Sequence, residues 1–285
     1  MIPQNFEYST PNNLNEALAL LAGGNAKVLA GGMSLIPLMK LRLAAPDHLV
    51  DLRRVSDLKA IREESGNIHI GSTATHYDIE SSPLIRGKCP LLAEAASNIG
   101  DVQVRNMGTI GGSIAHADPA ADYPASLIAL EAKVRIASAK GERIVGIEQF
   151  LVDSLTTALD SGEIVREVIV PVEAAGAGAS YQKMVQPASG FAIVGAAVRV
   201  RKSAGKVVFV RVGITGVGGK AFRASGVEKL LEGTGGSTAD VQKAAAAVAD
   251  GVDANSDLNA SSAYRLQMAK VYTARALTKA LSRAS

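Results

Sequence analysis

Apolar positions change rhythm repeatedly along the chain, and each change marks an element. Leu14, Ala17, Leu18 and Leu21 recur at helical spacing after Asn13, which suits an N-cap, and Gly23–Gly24 offers a stop. KVLAGG then predicts a short buried strand running into Gly31 and Gly32. SLIPLMKLRL predicts a helix with Ser34 near its cap and Pro37 confined to the first turn, and HLVDL returns as a strand. That order is the outline of a β-α-β unit. Alternation resumes in LKAIREESGNIHIGS, a hairpin around Ser65–Gly66–Asn67. CPLLAEAASNIG and YPASLIALEA read as helical. AKVRIAS and RIVGI form a second hairpin around Lys140–Gly141, and EIVREVIVPV is a strand ending at Pro171. EAAGAGAS, Glu173 to Ser180, is rich in small residues and marks the expected domain boundary. Beyond it come strands in SYQKMVQ, IVGAAVRVRK and KVVFVRVGITGVGG, then helices near Ser225–Glu232, Ala239–Asp250 and Ser262–Leu281. Strands followed by helices indicate an α+β architecture.

Composition narrows the function. The 285 residues leave room for two or three domains, and 47% apolar with 20% charged residues is ordinary globular usage. Trp is absent and aromatics make up 4%, so a base-stacking nucleic-acid reader would lack platforms. The net charge of +3 is scattered rather than gathered into a polyanion tract. Cys89 is the one cysteine, which excludes disulfides, thiolate zinc sites and four-cysteine iron–sulfur clusters within this chain. MIPQNFEYSTP lacks a signal-peptide pattern and no apolar run reaches membrane-spanning length. A soluble cytoplasmic protein is expected.

Two stretches could carry chemistry. Ala30-Gly31-Gly32-Met33-Ser34 and Thr109-Ile110-Gly111-Gly112-Ser113 each pair glycines with a hydroxyl residue near a helix entry. Without Cβ atoms, several backbone N–H groups can converge there on a phosphate. The same glycines could equally serve as tight turns. His116 and Asp118 could ligate a metal, but the four histidines form no H-x-x-x-H pair and advertise no further ligands. Asp118 otherwise suits helix capping, while Asp122 is placed to accept a hydrogen bond from a nucleotide hydroxyl. Gly216 to Ala221 satisfies G-x-G-x-x-A after a strand, but helices follow it instead of a returning strand, so it reads as a strand end. Neither Ser34 nor Ser113 sits in G-x-S-x-G. These residues lead to a nucleotide diphosphate site shared by two segments.

AGGMSLIPLMKLRLAAPDHLVDLR (Ala30–Arg53) and QVRNMGTIGGSIAHADPAADYPA (Gln103–Ala125) resemble the two FAD-binding signatures of the flavoprotein medium subunits of molybdenum hydroxylases. The likeness is nearest to those of aerobic carbon monoxide dehydrogenase and the wider xanthine dehydrogenase family, and it runs nearly end to end. It implies an FAD-binding domain of the vanillyl-alcohol-oxidase-like type over residues 1–172, with subdomains of about 1–55 and 56–172. A C-terminal α+β domain over 178–285, with a three-stranded sheet and a helical bundle, would follow. It places FAD pyrophosphate on backbone amides of Ala30, Gly31, Gly32, Met33 and Ser34 and of Thr109, Ile110, Gly111, Gly112 and Ser113. Asp122 would make a polar contact to the cofactor, Lys183 would lie near the flavin, and Phe191 would stand beside its ring. The chain departs from the family at Met33, often His or Gln, at Ser113, often Asn, and at Phe191, often Tyr. It also lacks the cysteine-bearing insertion of the benzoyl-CoA reductase branch.

The resemblance implies an oxidoreductase subunit for electron transfer. Substrate would be oxidised at a molybdopterin centre in a large partner, and electrons would reach FAD through [2Fe–2S] clusters of a small one, in a dimer of heterotrimers. Lys183 near the ring edge would stabilise the anionic reduced flavin. The competing reading is a stand-alone nucleotide-binding module without redox chemistry.

Overall fold

Asn13 caps the first helix as its position demands, its side chain accepting from the Glu16 N–H at 3.0 Å. The computed structural model describes residues 2–22 and 24–285, so the expected stop at Gly23 lies outside them. Strand β1 (Glu7–Ser9), helix α1 (Leu14–Leu21), β2 (Ala26–Leu29), α2 (Leu35–Lys40) and β3 (His48–Asp51) build a parallel sheet of order β1-β3-β2. The β-α-β outline is therefore realised in β2-α2-β3. Helix α2 is shorter than its apolar pattern, because the chain turns left-handed at Arg42, with φ 59°.

β4 (Ile61–Glu64) and β5 (Asn67–Gly71) form the expected hairpin, with Ser65 and Gly66 both at positive φ. That is the turn geometry matching strand twist. Helices α3 (His76–Ser81), α4 (Pro83–Lys88), α5 (Pro90–Ser97), α6 (Val102–Met107), α7 (Ile110–His116) and α8 (Asp122–Ala129) follow. α3, α4 and α6 span six residues each, too few turns for periodicity to announce them, and local signals start them. Thr75 and Asp78 make a reciprocal capping box for α3, and Pro83 opens α4. Next come β6 (Lys133–Ser138), β7 (Gly141–Gly146), α9 (Ile147–Phe150), β8 (Leu151–Asp153), β9 (Thr156–Thr157) and β10 (Ile164–Pro171). β10 inserts centrally, giving a five-stranded antiparallel sheet of order β4-β5-β10-β6-β7.

β11 (Gly178–Val185), β12 (Ala192–Ser203) and β13 (Lys206–Thr215) are the three long antiparallel strands of the last sheet. A two-residue edge strand, β14 (Phe222–Arg223), joins them. Helices α10 (Ser225–Leu231), α11 (Thr238–Ala246) and α12 (Ser262–Arg283) complete this region, α12 lying against β11 and β12. Among the described residues no helix is long and apolar enough to cross a membrane.

Packing sets where these pieces meet. The core under α1 and β3 also takes in Ala137 of β6 and Ile164 of β10, which seats the first sheet on the second. Helix α8 is buried along its whole length and packs against β12 and β13. A helix buried all round must be apolar, and the one charged residue it carries, Asp122, therefore needs partners.

Candidate functional site

Gly31 is where the two glycine-rich segments meet. A Cβ built there would stand 2.1 Å from the Met107 carbonyl oxygen and 2.7 Å from Gly108 Cα. Only glycine permits that approach, and it carries the loop after β2 onto the corner between α6 and α7. A cleft of about 1000 Å³ opens beside this contact, bounded further by segment 155–165 and by the turn between β11 and β12. It lies at the upper end of ordinary ligand sites, roughly 300–1,000 Å³.

The first segment offers donors. Gly32, at φ 74°, turns the chain into α2, and its carbonyl accepts from Ile36 N–H at 3.0 Å. The backbone N–H groups of Gly31, Gly32, Met33, Ser34 and Leu35 find no acceptor among the described residues. Ser34 makes no side-chain capping bond, and its hydroxyl has no hydrogen-bond partner among the described residues. Successive uncommitted amides on a glycine loop form a concavity suited to an anion.

The second segment is built differently. Thr109, not a glycine, caps α7, its Oγ1 accepting from Gly112 N–H at 3.1 Å. Gly111 and Gly112 lie inside the first helical turn and are not at positive φ. Gly111 is required by close approach, since its Cβ would meet Ser72 Cβ at 2.4 Å. Ile110 N–H donates to the Ala74 carbonyl at 3.1 Å, Gly111 N–H to Ser72 at 2.9 Å and Ser113 N–H to Thr109 at 3.0 Å. The amides of Ile110, Gly111, Gly112 and Ser113 are thus engaged within the fold, unlike the expected pyrophosphate donors. Ile110 itself is fully buried. What faces the cleft is Thr109, the surface of Gly111 and Gly112, and Ser113.

Asp122 lines the cleft from the N-terminus of α8 but is only 4% exposed. Its Oδ1 accepts from the Tyr181 hydroxyl at 2.5 Å and its Oδ2 from Lys183 Nζ at 2.9 Å. Burial pushes its carboxyl up to about 6, with the Lys183 charge and the two hydrogen bonds acting against that rise. Each oxygen keeps a lone pair for a further donor. Lys183 lies behind this wall, hydrogen bonded to the protein rather than open to the cleft. Phe191, in the turn between β11 and β12, is 42% exposed and faces the cleft.

Sequence reasoning passed over Ser72 and His76, which line the cleft beside the second segment. His76 is buried against Tyr123, ring edge to face at 5.2 Å, and its Nδ1 has no partner among the described residues, like Ser72 Oγ and Tyr123 OH. Burial and the nearby Arg105 charge hold its imidazole down at about 4, so it is neutral at physiological pH. Nothing in THYDIE signals this, because the pocket exists only once α6 and α7 close over it. His116 and Asp118 line the same cleft, yet the described residues contain no cluster of three or more His, Cys, Asp or Glu side chains placed to hold a metal. Asp118 does not cap α8, whose N-cap is Ala121. Its Oδ1 accepts from Ala120 N–H at 2.8 Å in the preceding turn. The turn at Gly216 docks on that same loop, its N–H donating to the Pro119 carbonyl at 2.8 Å.

Comparison with known proteins decides the family. Residues 4–173 match the FAD binding domain of molybdopterin dehydrogenases, and residues 179–280 match the carbon monoxide dehydrogenase flavoprotein C-terminal domain. The chain belongs to this FAD-binding flavoprotein family. It is similar to the carbon monoxide dehydrogenase medium chain of Hydrogenophaga pseudoflava, at 41% identity with 99% of both chains covered. It is also similar to the glyceraldehyde dehydrogenase medium chain of Sulfolobus acidocaldarius, at 38% identity over 97% of this chain and 98% of that one. Among solved structures, carbon monoxide dehydrogenase from H. pseudoflava lacking the Mo-pyranopterin moiety matches with a TM-score of 0.97 and 42% identity over 100% of both chains. Quinoline 2-oxidoreductase from Pseudomonas putida 86 matches at 0.95 and 32% over 99% of both. Family members are subunits of dehydrogenases, and the chain is accordingly an oxidoreductase subunit. The uncommitted amides of Gly31 to Leu35, the free hydroxyl of Ser34 and the size of the cleft fit the FAD that defines the family.

Proposed function

We propose that this chain is the electron-transfer subunit of a molybdenum hydroxylase and holds FAD in the cleft between Gly31 and Phe191. The observation that carries this reading is the row of unpartnered backbone N–H groups from Gly31 to Leu35, facing a dinucleotide-sized cleft. Those amides would receive the pyrophosphate from one side. From the other, Thr109 and Ser113 would contribute side chains and Gly111 and Gly112 a close approach. Neutral His76 and Ser72 would add polar contacts, Asp122 would accept from a cofactor hydroxyl, and Phe191 would wall the flavin end. FAD bound there supplies chemistry that accepts and releases electrons singly or in pairs. The protein's share is to hold that group at a fixed distance from its partners and to limit water.

Electrons would come from [2Fe–2S] clusters of a small partner and leave to an external acceptor. Substrate would be oxidised at a molybdopterin centre in a large partner, within a cytoplasmic dimer of heterotrimers. In this reading residues 1–172, divided near 55, form the FAD-binding domain, and residues 178–285 form the C-terminal domain that brings Phe191 to the cleft.

The test is native purification of the tagged chain from its own host. Flavin absorbance at one FAD per chain, with molybdenum and iron in two co-purifying chains, is expected. A colourless chain that comes without such partners and takes up no added FAD would refute the reading and favour a nucleotide-binding module.

A further inference from the structure

Helix α12 has two faces of different character. Ala269, Ala276, Leu277 and Ala280 pack into a core with Val194, Val198 and Val200 of β12, whereas Ala197 of the same strand belongs to the core around α8. Alternate residues of a strand point to opposite faces. α12 therefore lies on the far side of the last sheet from α8 and from the cleft that Asp122 borders. Its other face carries a second stripe at three- and four-residue spacing, from Gln267 through Val271, Ala274 and Thr278 to Ser282. At 1.5 Å per residue the stripe is about 22 Å long. With Gln242, Ala245 and Ala246 of α11 and Gln182 of β11 it bounds a shallow depression of about 630 Å³. Ala245 and Ala274 are buried small residues in it, and small contact residues let a second helix axis come close.

The charge of this face is one-sided. Over its 22 residues α12 carries five cations and no carboxylate. Two are paired from outside the helix, Arg265 with Asp257 and Arg283 with Glu94, each at 2.6 Å. The other three, Lys270, Arg275 and Lys279, all line the depression, and no Asp or Glu lines it with them. None of the three has a carboxylate within ion-pair distance among the described residues. Arg275 and Lys279 stand four apart, where like charges repel along a helix. The Arg275 guanidinium is braced over the Tyr272 ring at 4.8 Å, so it is held ready for an acceptor.

We propose that this stripe is a docking groove for an acidic helix of a partner subunit. Charge complementarity selects that occupant, since carboxylates opposite Lys270, Arg275 and Lys279 would relieve their repulsion and fix the register of docking. A helix laid along a groove four turns long is an established mode of recognition. A second copy of this chain is the wrong occupant, because a two-fold contact sets the same cations against each other. The proposal rests on reading the chain as one subunit of a larger dehydrogenase. Because the groove faces away from the cleft, it serves assembly rather than the passage of electrons.

The test uses the complex purified through the full-length tagged chain. A zero-length carbodiimide, which joins amines only to carboxylates in contact with them, should link Lys270 or Lys279 to Asp or Glu of an acidic segment in a partner chain. Mass spectrometry of the peptides reads the link. Lys270→Arg with Lys279→Arg keeps the charge, so it should keep assembly and lose the link. Arg275→Glu with Lys279→Glu should weaken assembly at least tenfold, or about 1.4 kcal/mol, in a dilution series at low salt. Circular dichroism and FAD uptake of that variant should be unchanged. If it does not fold, Arg275→Gln with Lys279→Gln should give a smaller loss of the same sign. Links only to a second copy, no links in an intact complex, or undiminished assembly of the charge-reversed chain would overturn the groove. A yellow complex with unlinked lysines overturns the groove alone, and a chain with no partners overturns both readings. A linked partner in a complex that holds no flavin would uphold the groove and refute the FAD reading instead.

Discussion

Replacing Gly31 with alanine tests whether the contact between the two glycine-rich segments builds the site. The added methyl would stand 2.1 Å from the Met107 carbonyl oxygen and under 3 Å from Gly108 Cα, both backbone atoms. Ordinary carbon contacts lie at roughly 3.5–4.0 Å, so the loop after β2 must retreat from the α6–α7 corner by more than 1 Å. Overpacking against groups that cannot rotate away costs about 1–3 kcal/mol. The retreat also parts the Gly31–Leu35 amides from Ser113 across the cleft, so FAD affinity should fall tenfold or more. Urea unfolding and equilibrium FAD titration read the two effects separately. Gly87→Ala is the control, because Gly87 lies within α4 with nothing within 4 Å of its Cβ position. There alanine should stabilise by about 0.5–1 kcal/mol and leave FAD binding alone. If Gly31→Ala behaves like Gly87→Ala in both assays, the contact does not organise the site.

The hydroxyls are tested by Ser34→Ala and Ser113→Ala. Neither side chain is committed to a cap, so each variant should keep its stability while FAD affinity drops about three- to tenfold, the worth of roughly one hydrogen bond. A lost melting temperature with unchanged affinity would reassign them to structure. His76 gives a pH signature. Held at about 4 in the fold against 6.5 when unfolded, it binds fewer protons folded, so its contribution is present above pH 6.5 and is lost as pH falls towards 4. That loss is on the order of 3 kcal/mol. His76→Gln should flatten the stability curve across this window in urea unfolding at stepped pH, and parallel curves for variant and wild type would refute the burial argument.

Much of this protein is settled by short stretches of chain. Helical spacing after Asn13, alternation around Ser65–Gly66 and the long strands β11 to β13 depend on neighbours a few residues away, so they are legible in sequence. The glycine pairs are legible as points where backbone comes close to something, and together they carry the family resemblance. Their separate duties are not legible. Gly32 serves through its φ of 74°, while Gly31 and Gly111 serve by admitting Met107 and Ser72. Both duties require an absent Cβ, so the sequence alone cannot distinguish them. The amides of Ile110 to Ser113 looked equivalent to those of Gly31 to Leu35 until α7 docked on Ser72 and Ala74 and engaged them. Lys183 and Asp122 lie 61 residues apart and become a buried pair only because β11 passes the start of α8. Local chemistry sets which groups can bind. Long-range packing decides which of them remain uncommitted and face the same cleft, since a donor already paired inside the fold has nothing left to offer.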